Sequence, residues 1–88
     1  MSDRVERIRA RLREALDTDD ITVIDESHKH IGHAGARSGL GHFAVGVRSS
    51  LFAGKSPLER HRMVYEALGE MMQTDIHALS IRALAPDE

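Results

Sequence analysis

Ser56-Pro57-Leu58-Glu59 constrains this chain more than any other stretch. A serine N-cap, a proline at the first helical position and a glutamate closing a capping box mark a helix start. Leu58, His61, Tyr65, Leu68 and Met72 follow at helical spacing, which predicts a helix reaching about Met72. Before it, Phe43, Val45 and Val47 alternate against Ala44, Gly46 and Arg48 as a strand. After it, Ile76 to Leu84 reads as another strand, with His77, Leu79, Ile81 and Ala83 on one face. Two strands joined through a helix are almost always parallel, with a right-handed crossover.

The first half of the chain supplies the partners for that unit. Val5, Ile8, Leu12 and Leu16, with Ala15, recur at helical spacing, Ser2 is placed to cap the helix, and Asp17 to Asp20 end it. Ile21-Thr22-Val23-Ile24 is a short β-branched strand that can pair antiparallel with the next one across a polar loop. The order is α-β-β-α-β, a small α+β fold with a three-stranded mixed sheet and helices on one face. A chain of 88 residues without an internal repeat fits one domain over 1–88, its core about 4–85 and its tail 86–88.

Composition then narrows the chemistry. There is no cysteine, which removes disulfides, thiolate zinc sites and a self-contained iron–sulfur site. Three aromatic residues and a net charge of −2 supply little for base stacking or general attraction to nucleic acid. The charged N-terminus carries no signal segment and nothing later is long and apolar enough to span a bilayer, so the expected compartment is the cytoplasm. Gly54-Lys55-Ser56 resembles the end of a phosphate-binding loop, but Ser49 stands where that motif needs glycine. Gly32-His33-Ala34-Gly35 spells GxxG, yet it falls between two strands rather than between the helices of a KH domain. Arg4, Arg7, Arg9, Arg11 and Arg13, interleaved with Glu6 and Glu14, read as a solvated helix face with pairing along the helix. No nucleophile, base and oxyanion hole come together, so no enzyme activity is expected.

Four of the six histidines lie between Ser27 and Phe43. His42 opens the second strand, opposite in parity to Phe43, and reads as structural or exposed, and His61 reads as a core or boundary residue of the second helix. His28 and His30 are spaced to project the same way, and His33 follows in glycine-containing chain that can fold back. His77 begins the third strand, at the sheet end where the loop leaves the first, so it can approach His30 or His33. Two neutral imidazoles there can contribute to a zinc site or to one iron of a [2Fe–2S] cluster, with any thiolates supplied from elsewhere.

Asp25-Glu26-Ser27, Gly41-His42-Phe43, Phe52-Ala53-Gly54-Lys55-Ser56, Arg60-His61-Arg62-Met63-Val64-Tyr65 and Ile76-His77-Ala78-Leu79-Ser80-Ile81 together resemble the BolA family, over nearly the whole chain from Arg4 to Asp87. The resemblance implies a class II KH-like fold without the GxxG clamp. It implies a monothiol glutaredoxin partner and a shared [2Fe–2S] cluster, acting in iron–sulfur cluster assembly or trafficking and in iron or redox regulation. The glutaredoxin cysteine and glutathione would supply sulfur, and no cofactor is expected in the isolated protein, a monomer when alone. The family's C-terminal-side ligand matches His77. The loop ligand matches His30 by its distance from Asp25-Glu26-Ser27, with His33 the competitor because this loop is a few residues longer than the shortest in the family. Some family members are described as transcriptional regulators, and in that alternative Lys55, Arg60 and Arg62 would contact DNA phosphates.

Overall fold

Phe43, Val45 and Val47 are buried while His42, Ala44, Gly46 and Arg48 are only half-buried, so the strand they form has one core face. In the computed structural model, which describes residues 4–26 and 41–88, this strand, β2 (Gly41–Arg48), lies at the centre of a three-stranded sheet. Its antiparallel neighbour is β1 (Ile21–Asp25), with Val23 opposite Val45. Its parallel neighbour is β3 (Ile76–Leu84), with Val45 opposite Ile81. The crossover between β2 and β3 holds α2 (Pro57–Leu68) and a single-turn α3 (Met71–Thr74), and α1 (Arg4–Leu16) precedes the sheet. Ile8, Leu12 and Leu16 of α1 and Val64 and Leu68 of α2 bury against Phe43, Val45 and Val47. The mixed α+β sheet with helices is therefore as the sequence predicts; Ser2 and the loop histidines His28, His30 and His33 lie outside the described residues.

The capping box at Ser56 is complete. The Glu59 backbone N–H donates to Ser56 Oγ at 3.2 Å and the Ser56 N–H donates to Glu59 Oε1 at 2.9 Å. The far end of α2 differs from expectation: it stops at Leu68 rather than near Met72. Gly69 takes φ 54°, a conformation that side chains disfavour, and its N–H closes on the Tyr65 carbonyl at 2.9 Å. Arg11 of α1 donates to the Leu68 carbonyl at 3.1 Å, satisfying another terminal acceptor. The helix is also rotated relative to the stripe drawn through Leu58 and Tyr65, which are 62% and 41% exposed. It meets the core through Val64 and Leu68, with Met63 and Ala67 packed against it, and Arg60 continues the i, i+4, i+8 ridge one turn earlier.

Two polar ties hold the ends of the sheet. Ser49 is buried after β2; its hydroxyl donates to the Leu16 carbonyl at 2.6 Å and accepts the Leu51 N–H at 3.1 Å. One side chain thus closes the end of α1 and caps a 3₁₀ turn at Ser50–Phe52 that the sequence pattern did not announce. At the other end, Asp75 is buried before β3, and its carbonyl accepts the Gly41 N–H at 2.9 Å. Its carboxylate accepts the Thr74 hydroxyl at 2.6 Å and Arg7 at 2.6 Å, with Arg4 at 3.3 Å. The Thr74 hydrogen bond, with help from Arg7 and Arg4, outweighs burial and holds the Asp75 carboxyl below its ordinary range. The arginines of α1 are therefore not a uniform solvated face. Arg9 pairs with Glu6 along the helix, whereas Arg4, Arg7 and Arg11 tie α1 to the chain around α2 and β3.

Ser49→Ala strands a buried carbonyl and an N–H, so it is expected to cost about 1–3 kcal/mol in urea denaturation. A loss within a few tenths of a kcal/mol would remove Ser49 from the account. Asp75→Asn should cost about 2 kcal/mol at neutral pH. Because the folded carboxyl is held below its unfolded value, the stability it contributes is present above the unfolded pKa and lost as pH falls through the folded one. The gap between wild type and Asp75→Asn should therefore narrow on acidification below the ordinary Asp range; a gap constant with pH contradicts the ion-pair argument.

Candidate functional site

The register of the sheet gathers three chain segments at one end. Asp25, the last residue of β1, lies opposite Phe43, and the Glu26 N–H donates to the His42 carbonyl at 2.7 Å. Gly41, the first residue of β2, lies opposite Ile76. The two residues that bracket 27–40, Glu26 and Gly41, therefore both sit at the end of the sheet where β3 begins.

His77 stands at that end on a bulge. Gly41 pairs with Ile76 and His42 with Ala78, so His77 is an extra residue in β3. This corrects the strict alternation expected for the strand: Ile76 is buried in the core, Leu79, Ile81 and Ala83 pack against it, and His77 is exposed instead of continuing that face. The bulge changes the parity between Ile76 and Leu79, letting both serve the core while His77, between them in the same strand, faces water. Burial of Ile76 and the ties at Asp75 fix the backbone on the N-terminal side of His77. Among the described residues no hydrogen bond engages its ring.

His42 is half-buried, with its Nε2 3.9 Å from Glu26 Oε1, and stands opposite Ala78. His61 lies at the core boundary on α2, as its position in the helix predicts. Among the described residues no group of three or more His, Cys, Asp or Glu side chains could hold a metal. A metal at His77 would need further donors from outside that set. His30 and His33 lie outside the described residues.

The basic residues at the start of α2 divide into two kinds. Lys55 and Arg62 are exposed. Arg60 is not: its side chain is 12% exposed, its Nε donates to the Lys55 carbonyl at 3.0 Å, and its terminal nitrogens meet the Glu88 carboxylate at 2.5 and 2.9 Å. The sequence signal for its burial was available, since Arg60 is four residues before Val64 and eight before Leu68. Glu88 carries no such signal, because no local pattern announces a partner 28 residues away. Asp75 carries no local signal either, since its partner Arg7 is 68 residues away, although Arg4 and Arg7 are spaced to share one side of α1.

Among the described residues no helix is long and apolar enough to cross a membrane. The family model for BolA-like protein matches residues 12–88. BolA-like protein 1 of Mus musculus is 46% identical over 79 residues, covering 90% of this chain and 56% of the mouse protein. The DNA-binding transcriptional regulator BolA of Escherichia coli is 42% identical over 76 residues, 86% of this chain and 70% of that protein. The solved BolA domain of SufE1 from Arabidopsis thaliana superposes with a TM-score of 0.84 at 38% identity, over 99% of this chain and 96% of the domain. The chain spans 24% of the length of SufE-like protein 1 from the same plant. By the family match over most of its length, and by the shared fold, the chain belongs to the BolA-like protein family.

Proposed function

We propose that this protein is a partner of a monothiol glutaredoxin, contributing histidine to a [2Fe–2S] cluster held between the two proteins, in the assembly or trafficking of such clusters and in iron or redox regulation. The observation that carries the reading is the exposed bulge histidine, His77, at the sheet end flanked by Glu26 and Gly41. The donor chemistry fits a shared group better than a resident one. The chain has no cysteine, and its described residues offer His77 without a set of co-ligands. The second ligand is assigned to His30 or His33, and sulfur to the glutaredoxin cysteine and glutathione.

When bound, such a cluster supplies one-electron chemistry at a potential that imidazole ligation raises relative to thiolate ligation, in the sense known for Rieske centres. The role of this chain is to hold an imidazole outward at low cost. Ile76 anchors the strand in the core, and Asp75, gripped by Arg7, Arg4 and Thr74, fixes the turn before it. The bulge frees His77 from both core packing and the regular strand ladder. A ligating imidazole must be neutral, so retention of the cluster falls in acid.

DNA binding is the second reading. The similarity to the DNA-binding transcriptional regulator BolA of E. coli and the exposed Lys55 and Arg62 at the start of α2 favour it. The net charge of −2 and the engagement of Arg60 by Glu88 weigh against it.

Titration into a glutathione-bound, [2Fe–2S]-loaded monothiol glutaredoxin, followed by visible circular dichroism, tests the proposal. Wild type should generate a new spectrum, which His77→Ala and one of His30→Ala or His33→Ala should abolish while remaining folded. No spectral change with a folded wild type would sink the cluster reading and bring DNA binding forward. In that case DNA affinity should fall steeply with salt and weaken in Lys55→Ala and Arg62→Ala.

A further inference from the structure

Four acceptor oxygens fix the Arg60 guanidinium in a way the cluster reading does not use. Nε donates to the Lys55 carbonyl at 3.0 Å and NH1 donates to the Ala83 carbonyl at 3.1 Å. These two bonds, one to the turn before α2 and one to β3, set the plane of the guanidinium whatever else surrounds it. The remaining edge presents two N–H groups as a fork, the geometry that matches a carboxylate with parallel hydrogen bonds. Beside it, the Ala85 N–H points to the same place, just past the end of β3.

Glu88 fills that place from within. Oε1 accepts from Arg60 NH1 at 2.5 Å and from the Ala85 N–H at 3.0 Å, and Oε2 accepts from Arg60 NH2 at 2.9 Å. Arg48, at the end of β2, donates to the Glu88 backbone carbonyl at 3.1 Å. The Arg60 hydrogen bonds first, and the Ala85 N–H second, hold the Glu88 carboxyl down to about 2, so it is ionised throughout the neutral range. Asp87 adds a second negative charge whose influence reaches Arg60.

We propose that Arg60 and the Ala85 N–H form a preorganised oxyanion-binding site, that Glu88 is its tethered resident ligand, and that an external carboxylate or phosphate oxyanion occupies it when the tail swings away. The division of labour supports this. The carbonyls of Lys55 and Ala83 that orient Arg60 belong to the turn before α2 and to β3, whereas the ligand lies after β3 on a side chain that is 42% exposed. A ligand of this kind competes by effective concentration: it excludes dilute anions and yields to one presented at high local concentration or with additional contacts. Lys55, whose side chain is exposed and whose carbonyl accepts from Arg60, is the basic residue adjacent to the fork that such a ligand can reach. The inference stands independently of the cluster reading.

The test is a nuclear magnetic resonance titration of the whole chain with sodium acetate and, separately, with inorganic phosphate, ionic strength being held constant with chloride. The readouts are the Ala85 amide and the Arg60 Nε–H. In Glu88→Ala, and in Asp87→Asn/Glu88→Ala to remove the other tail carboxylate, one or both anions should produce saturable shifts at these two positions, with an apparent Kd roughly tenfold or more below that of wild type. The tighter-binding anion identifies the source of the oxyanion. Adding Arg60→Gln to a Glu88→Ala chain that remains folded by circular dichroism should abolish the shifts. Equal affinity in wild type and Glu88→Ala overturns the proposal. So do shifts spread over Lys55 and Arg62 without saturation at Ala85, and so does survival of the response without Arg60.

Discussion

The central strand must satisfy hydrogen bonds on both of its edges while burying only one of its faces, and the rest of the molecule is arranged around that demand. β1 takes one edge in antiparallel register and β3 the other in parallel. A hairpin-like return can serve the first edge, but only a crossover can serve the second. The helix that makes the crossover then covers the Phe43, Val45 and Val47 face, and α1 completes the cover with Ile8, Leu12 and Leu16. The ends of β2 are where this scheme is most exposed to fraying, and both are closed by polar residues that reach across elements: Ser49 to the end of α1, and Asp75 to Gly41 and to α1.

Guanidinium groups do much of the joining between elements. Arg11 closes the carboxyl end of α2, Arg4 and Arg7 hold Asp75, and Arg60 links the turn before α2 to β3 and to the tail. Arginine suits these positions because it offers several donors in one rigid plane and does not lose its charge when partly desolvated. An exposed pair such as Arg9 with Glu6 contributes little by comparison, since water screens it and two long side chains must be ordered. Counting arginines along α1 therefore says less than asking which carbonyls and carboxylates lie within reach across the packed interface.

The legible parts of the fold were those set by local chemistry. The capping box placed the start of α2, the alternation from Phe43 to Val47 placed the core face of β2, and Val5 to Leu16 placed α1. What the pattern misplaced depended on partners distant in sequence. The end of α2 was drawn too late because Leu68 and Met72 keep helical spacing through a glycine whose positive φ stops the helix. The exposed Leu58 and Tyr65 share a spacing with the buried residues, and only packing on β3 and α1 selects the Arg60–Val64–Leu68 ridge. His77 could be singled out by residue type, but its bulge could not: a bulge is a mismatch between two registers, and a single strand carries only one of them. The Glu88 contact was invisible for a related reason, since its partners come from α2 and from the chain after β3.

β3 separates the two chemically distinct places on this molecule. His77 lies at its start and Leu84 at its end, seven strand steps apart, or roughly 23 Å at the usual rise. That is more than twice the distance over which surface charges act in physiological salt, about 8 Å. A change of charge at the Arg60 fork is therefore too remote to act on His77 by direct electrostatics. Coupling would have to pass through the strand itself, whose two ends are pinned separately: Asp75 holds the first, and Ser49, through its N–H to the Leu84 carbonyl at 2.9 Å, holds the last. Both ends of β3 are thus held by residues that also bond to α1, which opposes a change of register. If the proposed roles of His77 and Arg60 hold, a partner long enough to touch both ends of β3 would gain from each without either having to sense the other.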